Sequence, residues 1–326
     1  MTYSLLIQNR QSGQIWDVAS ITEKATFTTK RTSSPGTLQF TLVDSGSVSF
    51  FEGDPVQLAV DGTPIFYGFV FSRSVDRWGV MEVTAYDQLR YLKANASYAF
   101  YGATAGDIIK QIGEDFQLSV GSLADTGYLL PSYIQEDKTC LDIINGAVQQ
   151  TLLNTGIIYV FWDNVGQLTL TPANEMISTA VVGNGSLLTD YTYKVDIDSQ
   201  TYNQIKLVRP NEETGMADAY VVNDSNTIGQ WGLLQYYAQV DEAMNEAQIL
   251  AQAQAMLAFY DVPYETFSAE ALGVVGLRAG QMLYLNIPER NLSQFVLLEQ
   301  VTHTFEQNNH TMSIETLSLT KEAQTA

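Results

Sequence analysis

The stretch Phe50–Leu92, FFEGDPVQLAVDGTPIFYGFVFSRSVDRWGVMEVTAYDQLRYL, constrains the fold more than any other. Apolar and polar residues alternate in it, the period of strands with one buried face. Val56, Leu58 and Val60 share a face, Ile65 to Phe71 is a denser apolar run, and Val80 to Tyr86 alternates again. Asp61-Gly62-Thr63-Pro64 and Ser74 to Gly79 read as the hairpin turns between them. The expectation is a three-strand antiparallel meander ending in a short helix, Asp87 to Lys93.

Much of this pattern returns in Leu277 to Leu319. Ala279-Gly280-Gln281-Met282-Leu283-Tyr284-Leu285 lines up with Glu52-Gly53-Asp54-Pro55-Val56-Gln57-Leu58. Gln294 to Val301 takes the place of Pro64 to Phe71, and His310 to Leu319 that of Gly79 to Ala85. Upstream, Gly36 to Leu42 pairs with Tyr202 to Val208. Two unrelated β-meanders would also share this little identity, but the matching order of elements favours a duplication.

A chain of 326 residues exceeds the usual size of one domain. Tyrosines (18) and phenylalanines (14) are plentiful while charged residues are only 16%, a balance that suits β-rich domains with extensive protein contacts. Residues 1–95 carry nine acidic and eight basic side chains, so of the net charge of −20, residues 96–326 hold −19. That excess argues against grasping a nucleic-acid backbone. A single cysteine, Cys140, excludes an internal disulfide, the N-terminus lacks the apolar core of a signal peptide, and no apolar run approaches a membrane span.

Along the chain, residues 1–95 read as a first β-barrel domain. From residue 96 the period changes. Thr104 and Asp107 open one helix, with Ile108, Ile112 and Phe116 on one face, and Thr139 opens a second that continues through Ile143, Ile144 and Leu152 to a stop at Gly156. A hairpin comes next, Ile157 to Trp162 and Gln167 to Leu170. Residues 96–186 are therefore read as a small α+β insertion domain. Residues 187–320 form a second β-barrel domain, with loops at Arg209 to Met216 and around Asn223 to Gly229. Its one long helix, 241–260, has Met244, Ala247, Leu250, Ala251 and Leu257 toward a sheet, and residues 321–326 are a C-terminal tail. The fold class is mainly β, two related barrels flanking a helix-pair and hairpin domain.

No catalytic, cofactor-binding or metal-binding residue is assigned. His303 and His310 lie on adjacent strands of one hairpin without a suitable acidic partner, and Cys140 reads as a structural thiol behind a helix cap. Asp54, Asp61, Asp76 and Asp87 are spaced like turn residues. That spacing is unlike a calcium loop, whose oxygen ligands crowd into a dozen positions. Asp190, Asp196 and Asp198 lie closer together, and on a strand Asp196 and Asp198 face the same way, a pattern that can recruit a cation but usually marks a solvated face. No phosphate-cradling glycine loop or nucleophile elbow is present, so no enzyme is indicated.

The segment from Glu52 to Leu92 resembles the tail hub proteins of the XkdQ/YqbQ family, found in phage-like elements and contractile bacteriocins. Gly53-Asp54-Pro55-Val56-Gln57-Leu58, the apolar run around Gly68 and Thr84 to Leu92 (TAYDQLRYL) carry the likeness. The helix pair, the Gly156 to Phe161 strand with Leu168 to Leu170, and the strand Tyr202 to Leu207 fit the wider baseplate hub superfamily. The resemblance implies a non-enzymatic, cofactor-free homotrimer at the tip of a contractile tail or tail-like particle. It would join a hexameric tail tube or tube-initiator protein to a trimeric spike and contact baseplate wedge proteins and the tape measure. No direct nucleic-acid recognition and no membrane anchor are implied. The chain would be cytoplasmic during assembly and then leave the cell in the particle. No β-helical needle follows the second barrel, so a separate spike protein is implied. The alternative is a surface-binding β-protein, a tail adhesin or carbohydrate-binding module in which tyrosines and Trp78, Trp162 and Trp231 stack on sugars. An aromatic cluster facing solvent on one sheet would favour it. A peptidoglycan hydrolase is the third reading, disfavoured by the missing catalytic constellation.

Overall fold

The structure, a computed structural model, describes residues 2–317 except 44, 45, 47, 212–215, 241, 243, 307 and 308. The expected C-terminal tail, 321–326, lies outside the described residues, as do 212–215 of the loop expected over Arg209 to Met216, whose flanking residues Arg209, Pro210, Asn211 and Met216 belong to paired strands instead. Contacts divide the chain into two compact units, Met1–Tyr191 with Ser268–Thr316, and a second built on Thr192–Phe267.

In the first unit the alternating stretches become strands: β1 (Tyr3–Gln8), β2 (Ile15–Asp17), β3 (Thr22–Lys30), β4 (Thr37–Val43), β5 (Pro55–Val60), β6 (Thr63–Val75) and β7 (Val80–Tyr86). The predicted meander is present. β5 and β6 are joined by Asp61 and Gly62, both at positive φ (46° and 82°), the geometry whose twist suits a two-residue hairpin. Leu5, Ile7, Leu38, Phe40, Val56, Leu58, Phe66, Val70, Val83 and Ala85 bury one face as a single core. Asp87 ends the meander by accepting the Leu89 N–H at 3.0 Å and starting a 3₁₀ turn over Gln88–Lys93.

The middle segment holds β8 (Asn95–Phe100), α1 (Ala105–Asp115), β9 (Val120–Leu123), β10 (Tyr133–Thr139), α2 (Cys140–Thr155), β11 (Tyr159–Asp163) and β12 (Leu168–Pro172). Thr104 and Asp107 form a reciprocal capping box, and Thr139 takes the Asp142 N–H at 3.1 Å. Gly156 closes α2 in the left-handed conformation, φ 72°. Ile108, Ile109, Ile112, Leu141, Ile143 and Ile144 are buried against Leu168 and Leu170 of the β11–β12 hairpin.

β13 (Ile177–Gly183) and β14 (Leu188–Asp196) come next. The second unit then comprises β15 (Gln204–Asn211), β16 (Met216–Asn223), α3 (Ser225–Trp231), β17 (Gln235–Gln239) and α4 (Glu246–Tyr260). The strands form their own sheet, β16-β15-β17. Where a loop is expected after Asn223, a short helix forms because Asp224 accepts the Asn226 N–H. The long helix begins at Glu246 and not at Asp241, because Asn245 and Gln248 form a capping box there. Its buried residues are Ile249 and Ala253, with Met256, Leu257 and Tyr260 packed alongside. Ala247 and Ala251, expected on that face, are exposed. The helix is apolar nearly all round, so composition alone does not single out its packed stripe.

The chain returns to the first unit through β18 (Tyr264–Leu272), β19 (Met282–Ile287), β20 (Leu292–Glu306) and β21 (Asn309–Thr316). A 13-stranded sheet runs β14-β18-β21-β20-β3-β4-β7-β6-β5-β1-β2, and β19 bonds β20 on one side and β13 on the other. The protein is thus mainly β, and the sheet path has two end strands, β14 and β2.

Candidate functional site

The repeat foreseen in the sequence reappears as hydrogen bonds. Gly53 N–H donates to Val70 O at 2.7 Å, and Val70 N–H donates back to Asp54 O at 2.9 Å. In the second copy Gly280 N–H donates to Leu298 O at 2.7 Å, and Leu298 N–H to Gln281 O at 3.0 Å. Gly53 and Gly280 share φ, 87° and 88°. Just beyond, the β6–β7 ladder slips between Val70 and Ser72, and the β20–β21 ladder slips between Leu298 and Gln300. A bulge bends the strand and re-aims the residues beyond it, so an identical slip beside an identical glycine makes β5-β6-β7 and β19-β20-β21 equivalent in backbone.

The upstream match needs correction. β7 bonds β4, and β21 bonds β18, so β18 is the counterpart of β4. Tyr202–Val208 falls on β15 and its approach, in the other sheet. Beyond β4 lies β3, and beyond β18 lies β14. Between β3 and β4 the chain makes a short turn, whereas between β14 and β18 it inserts the whole second unit. That insertion pushed the true counterpart downstream.

The two copies differ along one edge. Past Leu298, β20 carries β21 on one side and β3 on the other, from Gln300↔Lys30 to Glu306↔Lys24. Past Val70, β7 is the one strand among the described residues that bonds β6, and on the other side Arg73 reaches Phe50 O and pairs with Glu52 at 3.0 Å. The solvent side of the first copy bears an aromatic ladder, Tyr67, Phe69, Phe71, Tyr86 and Tyr91, with neighbouring centroids 5.3–5.8 Å apart. Arg10 lies 5.0 Å over Phe69 and Arg90 5.3 Å over Phe71. All but Tyr91 are half-buried.

The residues weighed for chemistry each have a structural partner. His303 and His310 do meet, Nδ1 to Nε2 at 2.9 Å, while His303 Nε2 lies 2.6 Å from Leu277 O. A carbonyl can only accept, so His303 Nε2 carries the proton and its Nδ1 accepts from His310. Burial, the largest cause, drives His303 down to about 4 and lowers His310 as well, leaving both neutral at pH 7. Cys140 is fully buried, and burial pushes its thiol up. Asp54, Asp61, Asp76 and Asp87 accept backbone N–H groups of Arg10 and Phe51, Thr2, Trp78 and Val80, and Gly36 and Leu89. Asp196 pairs with Lys194 at 2.6 Å and caps the turn at Ser199, and Asp198 donates its N–H to it. Asp190 bonds locally to Tyr191 N–H. Among the described residues no cluster of three or more His, Cys, Asp or Glu could hold a metal ion. Trp78 is 71% exposed with Arg77 stacked at 4.1 Å, and Trp231 closes α3 in the second unit.

One buried cluster escaped the sequence. The Arg278 guanidinium stacks 3.8 Å over Trp162 and donates to Asp163 O at 2.9 Å. Burial lowers Arg278 to about 10, raises Asp163 to about 6 and raises Asp87 strongly, the last also through Asp163. Asp87 follows β7, Asp163 ends β11 and Arg278 precedes β19. Only the fold makes them neighbours, and they fasten the middle hairpin to the repeated sheet. Asp163 Oδ2 and Arg278 Nε of this cluster are buried without a hydrogen-bond partner among the described residues.

No helix among the described residues is long and apolar enough to cross a membrane. The solved tail protein from Neisseria meningitidis MC58 shares this fold, with a TM-score of 0.73 at 14% identity, covering 98% of this chain and 97% of its own. The chain thus shares the fold of solved phage tail proteins. Among curated proteins of Bacillus subtilis (strain 168), YqbQ is 33% identical over 304 residues, 90% of this chain and 91% of YqbQ. The phage-like element PBSX protein XkdQ is 30% identical over 302 residues, 90% and 92% of the two chains. The YqbQ-like family model matches residues 25–317, and the chain belongs to that family.

Proposed function

We propose that this protein is the hub of a contractile phage tail or tail-like particle, a trimeric adaptor between a hexameric tail tube and a trimeric spike. The observation that carries the proposal is the repeat, the same glycine, hydrogen-bond pair and bulge in β5-β6-β7 and β19-β20-β21. A chain with two equivalent backbones presents six similar surfaces when three copies associate, which matches a six-fold ring above, while the trimer itself matches a three-fold spike below. In this reading residues 1–95 and 187–320 supply two tube-like barrels that alternate around a channel, and residues 96–186 form a separate domain between them. Its partners are the tube or tube-initiator protein, a separate spike protein, wedge proteins and the tape measure. The particle is assembled in the cytoplasm and then released.

The alternative, a surface-binding β-protein, has the aromatic ladder in its favour. Its rings are mostly half-buried and three, Phe69, Phe71 and Tyr86, lie under guanidinium groups, which leaves little open platform for a sugar. The test is a reconstruction of the assembled tail tip. Three copies are expected, with interfaces on the order of 2,000 Å² or more. Barrels at clearly different radii, or a ring without three copies, would end the proposal.

A further inference from the structure

We infer that His310 is a proton-operated switch. Neutral, its ring bonds His303; protonated, it leaves that bond, turns toward Asp61 and lets go of the strap 273–281 that joins β18 to β19. Every group involved belongs to one molecule, so the switch goes beyond the hub reading and does not depend on it.

Four ring nitrogens meet in the core of the first unit, and three are already used. His303 Nε2–H donates to Leu277 O, and His310 Nε2–H donates to His303 Nδ1 at 2.9 Å. The fourth, His310 Nδ1, is buried with no hydrogen-bond partner among the described residues. It is the one lone pair left to take a proton, so protonation puts a charge and a new N–H there. Phe305 stacks on the ring at 4.4 Å, and Gly273 lies so close that a methyl on it would overlap the imidazole. A buried, charged donor without an acceptor costs free energy until it finds one.

The groups facing the ring show where it goes. From β20 it meets His303, which burial keeps neutral. From the turn between β5 and β6 comes the Asp61 carboxylate, whose charge favours the protonated ring while burial, the larger effect, opposes it. β18 turns only Ala269 and Ala271 into the core, and β1 contributes neutral Tyr3, stacked on Phe305 at 5.5 Å. The strap adds no charge, because Arg278 is drawn off to Trp162 and the Asp163 carbonyl. Asp61 is exposed and accepts the Thr2 N–H at 2.8 Å, which leaves it the acceptor for an outward turn. The strap follows the ring at one end. Gly273 N–H donates to His310 O at 2.8 Å, whereas Ala279 N–H, at the far end, is held by Thr29 Oγ1 at 3.0 Å.

The experiment uses the full chain with isotope-labelled histidine, and these two are its only histidines. Proton–nitrogen spectra of the rings are followed from roughly pH 8 to pH 4, a range that spans ordinary histidine titration. Both rings should start neutral with the proton on Nε2, and His310 should charge before His303. In the same step the Gly273 amide should lose hydrogen-exchange protection while the Ala279 amide keeps its own. Asp61→Asn removes the charge and keeps the turn, since asparagine tolerates the positive φ of 46° and still accepts the Thr2 N–H. In that variant His310 should charge only at lower pH. His303 charging first, His310 charging with Gly273 still protected, or an unmoved midpoint in Asp61→Asn would each overturn the switch. Global unfolding ahead of any charging of His310 would do the same.

Discussion

Gly53 and Gly280 hold the same backbone position in the two copies, yet one faces open space and the other does not. A methyl added at Gly53 finds nothing within 4 Å, whereas at Gly280 it would overlap Val160 Cγ1. Both substitutions force a side chain into the left-handed region, at a cost of about 1–2 kcal/mol. Gly280→Ala must also displace packed Val160, an overpacking cost of about 1–3 kcal/mol. The expected losses are therefore about 1–2 kcal/mol for Gly53→Ala and about 2–5 kcal/mol for Gly280→Ala. For a unit of this size that corresponds to lowering Tm by roughly 2–8 °C and 4–20 °C respectively. Two compact units need not melt together, so the comparison is made in a Trp231→Phe background. There the remaining tryptophans, Trp16, Trp78 and Trp162, all report the first unit. A Gly53→Ala loss as large as that of Gly280→Ala would refute the packing argument. No loss at either site would refute the shared backbone conformation.

Ile143→Ala or Ile144→Ala should each cost about 2–5 kcal/mol in chemical denaturation, since both are fully buried beside α1. Cys140→Ser should disturb assembly far less, and the buried Cys140 thiol should react with a thiol reagent only after unfolding; prompt reaction in the native protein would contradict its placement. His303, held down at about 4, binds its proton more readily when unfolded, so its contribution to stability is full above about pH 6.5 and falls as pH drops toward 4. Asp163, raised to about 6, acts in the opposite sense and loses stability as pH rises from about 4 to 6, so Asp163→Asn should steepen the acid-side loss. A stability profile unchanged by that substitution would count against the assignment. In the assembled particle the channel-facing residues should not be mainly Lys and Arg, given the net −19 of residues 96–326.

Local chemistry made much of this fold legible in the sequence. Thr104 with Asp107, Thr139 with Asp142, Gly156 and the Asp61-Gly62 turn act over a few residues, and each forms as its residues demand. The repeat is legible where glycine and bulge recur together. It misleads at β4, because the alternation of Tyr202–Val208 imitates a strand whose place belongs to β18. The start of α4 is set by an asparagine cap inside an otherwise helix-favouring run. The Asp87–Asp163–Arg278 cluster leaves no local trace. Neither acid shows a spacing that distinguishes it from a turn residue, and Arg278 becomes buried only when three distant segments meet.

The differences between the copies fall where their surroundings differ. β5 takes β1 antiparallel, while β19 takes β13 parallel. β3 and β4 are joined by a turn, whereas their counterparts enclose the second unit. Gly280 is pressed against Val160 of the middle hairpin, and Gly53 is not. Both copies retain the glycine, its reciprocal hydrogen bonds and the bulge, the features that fix how β6 and β20 bend. A fold that had to preserve a reaction would hold side chains constant and let the backbone drift. Here the backbone is held while the side chains differ between the copies. Identity between the copies can fall very low under that condition, because the turn glycine and the bulge set the backbone whatever the flanking side chains.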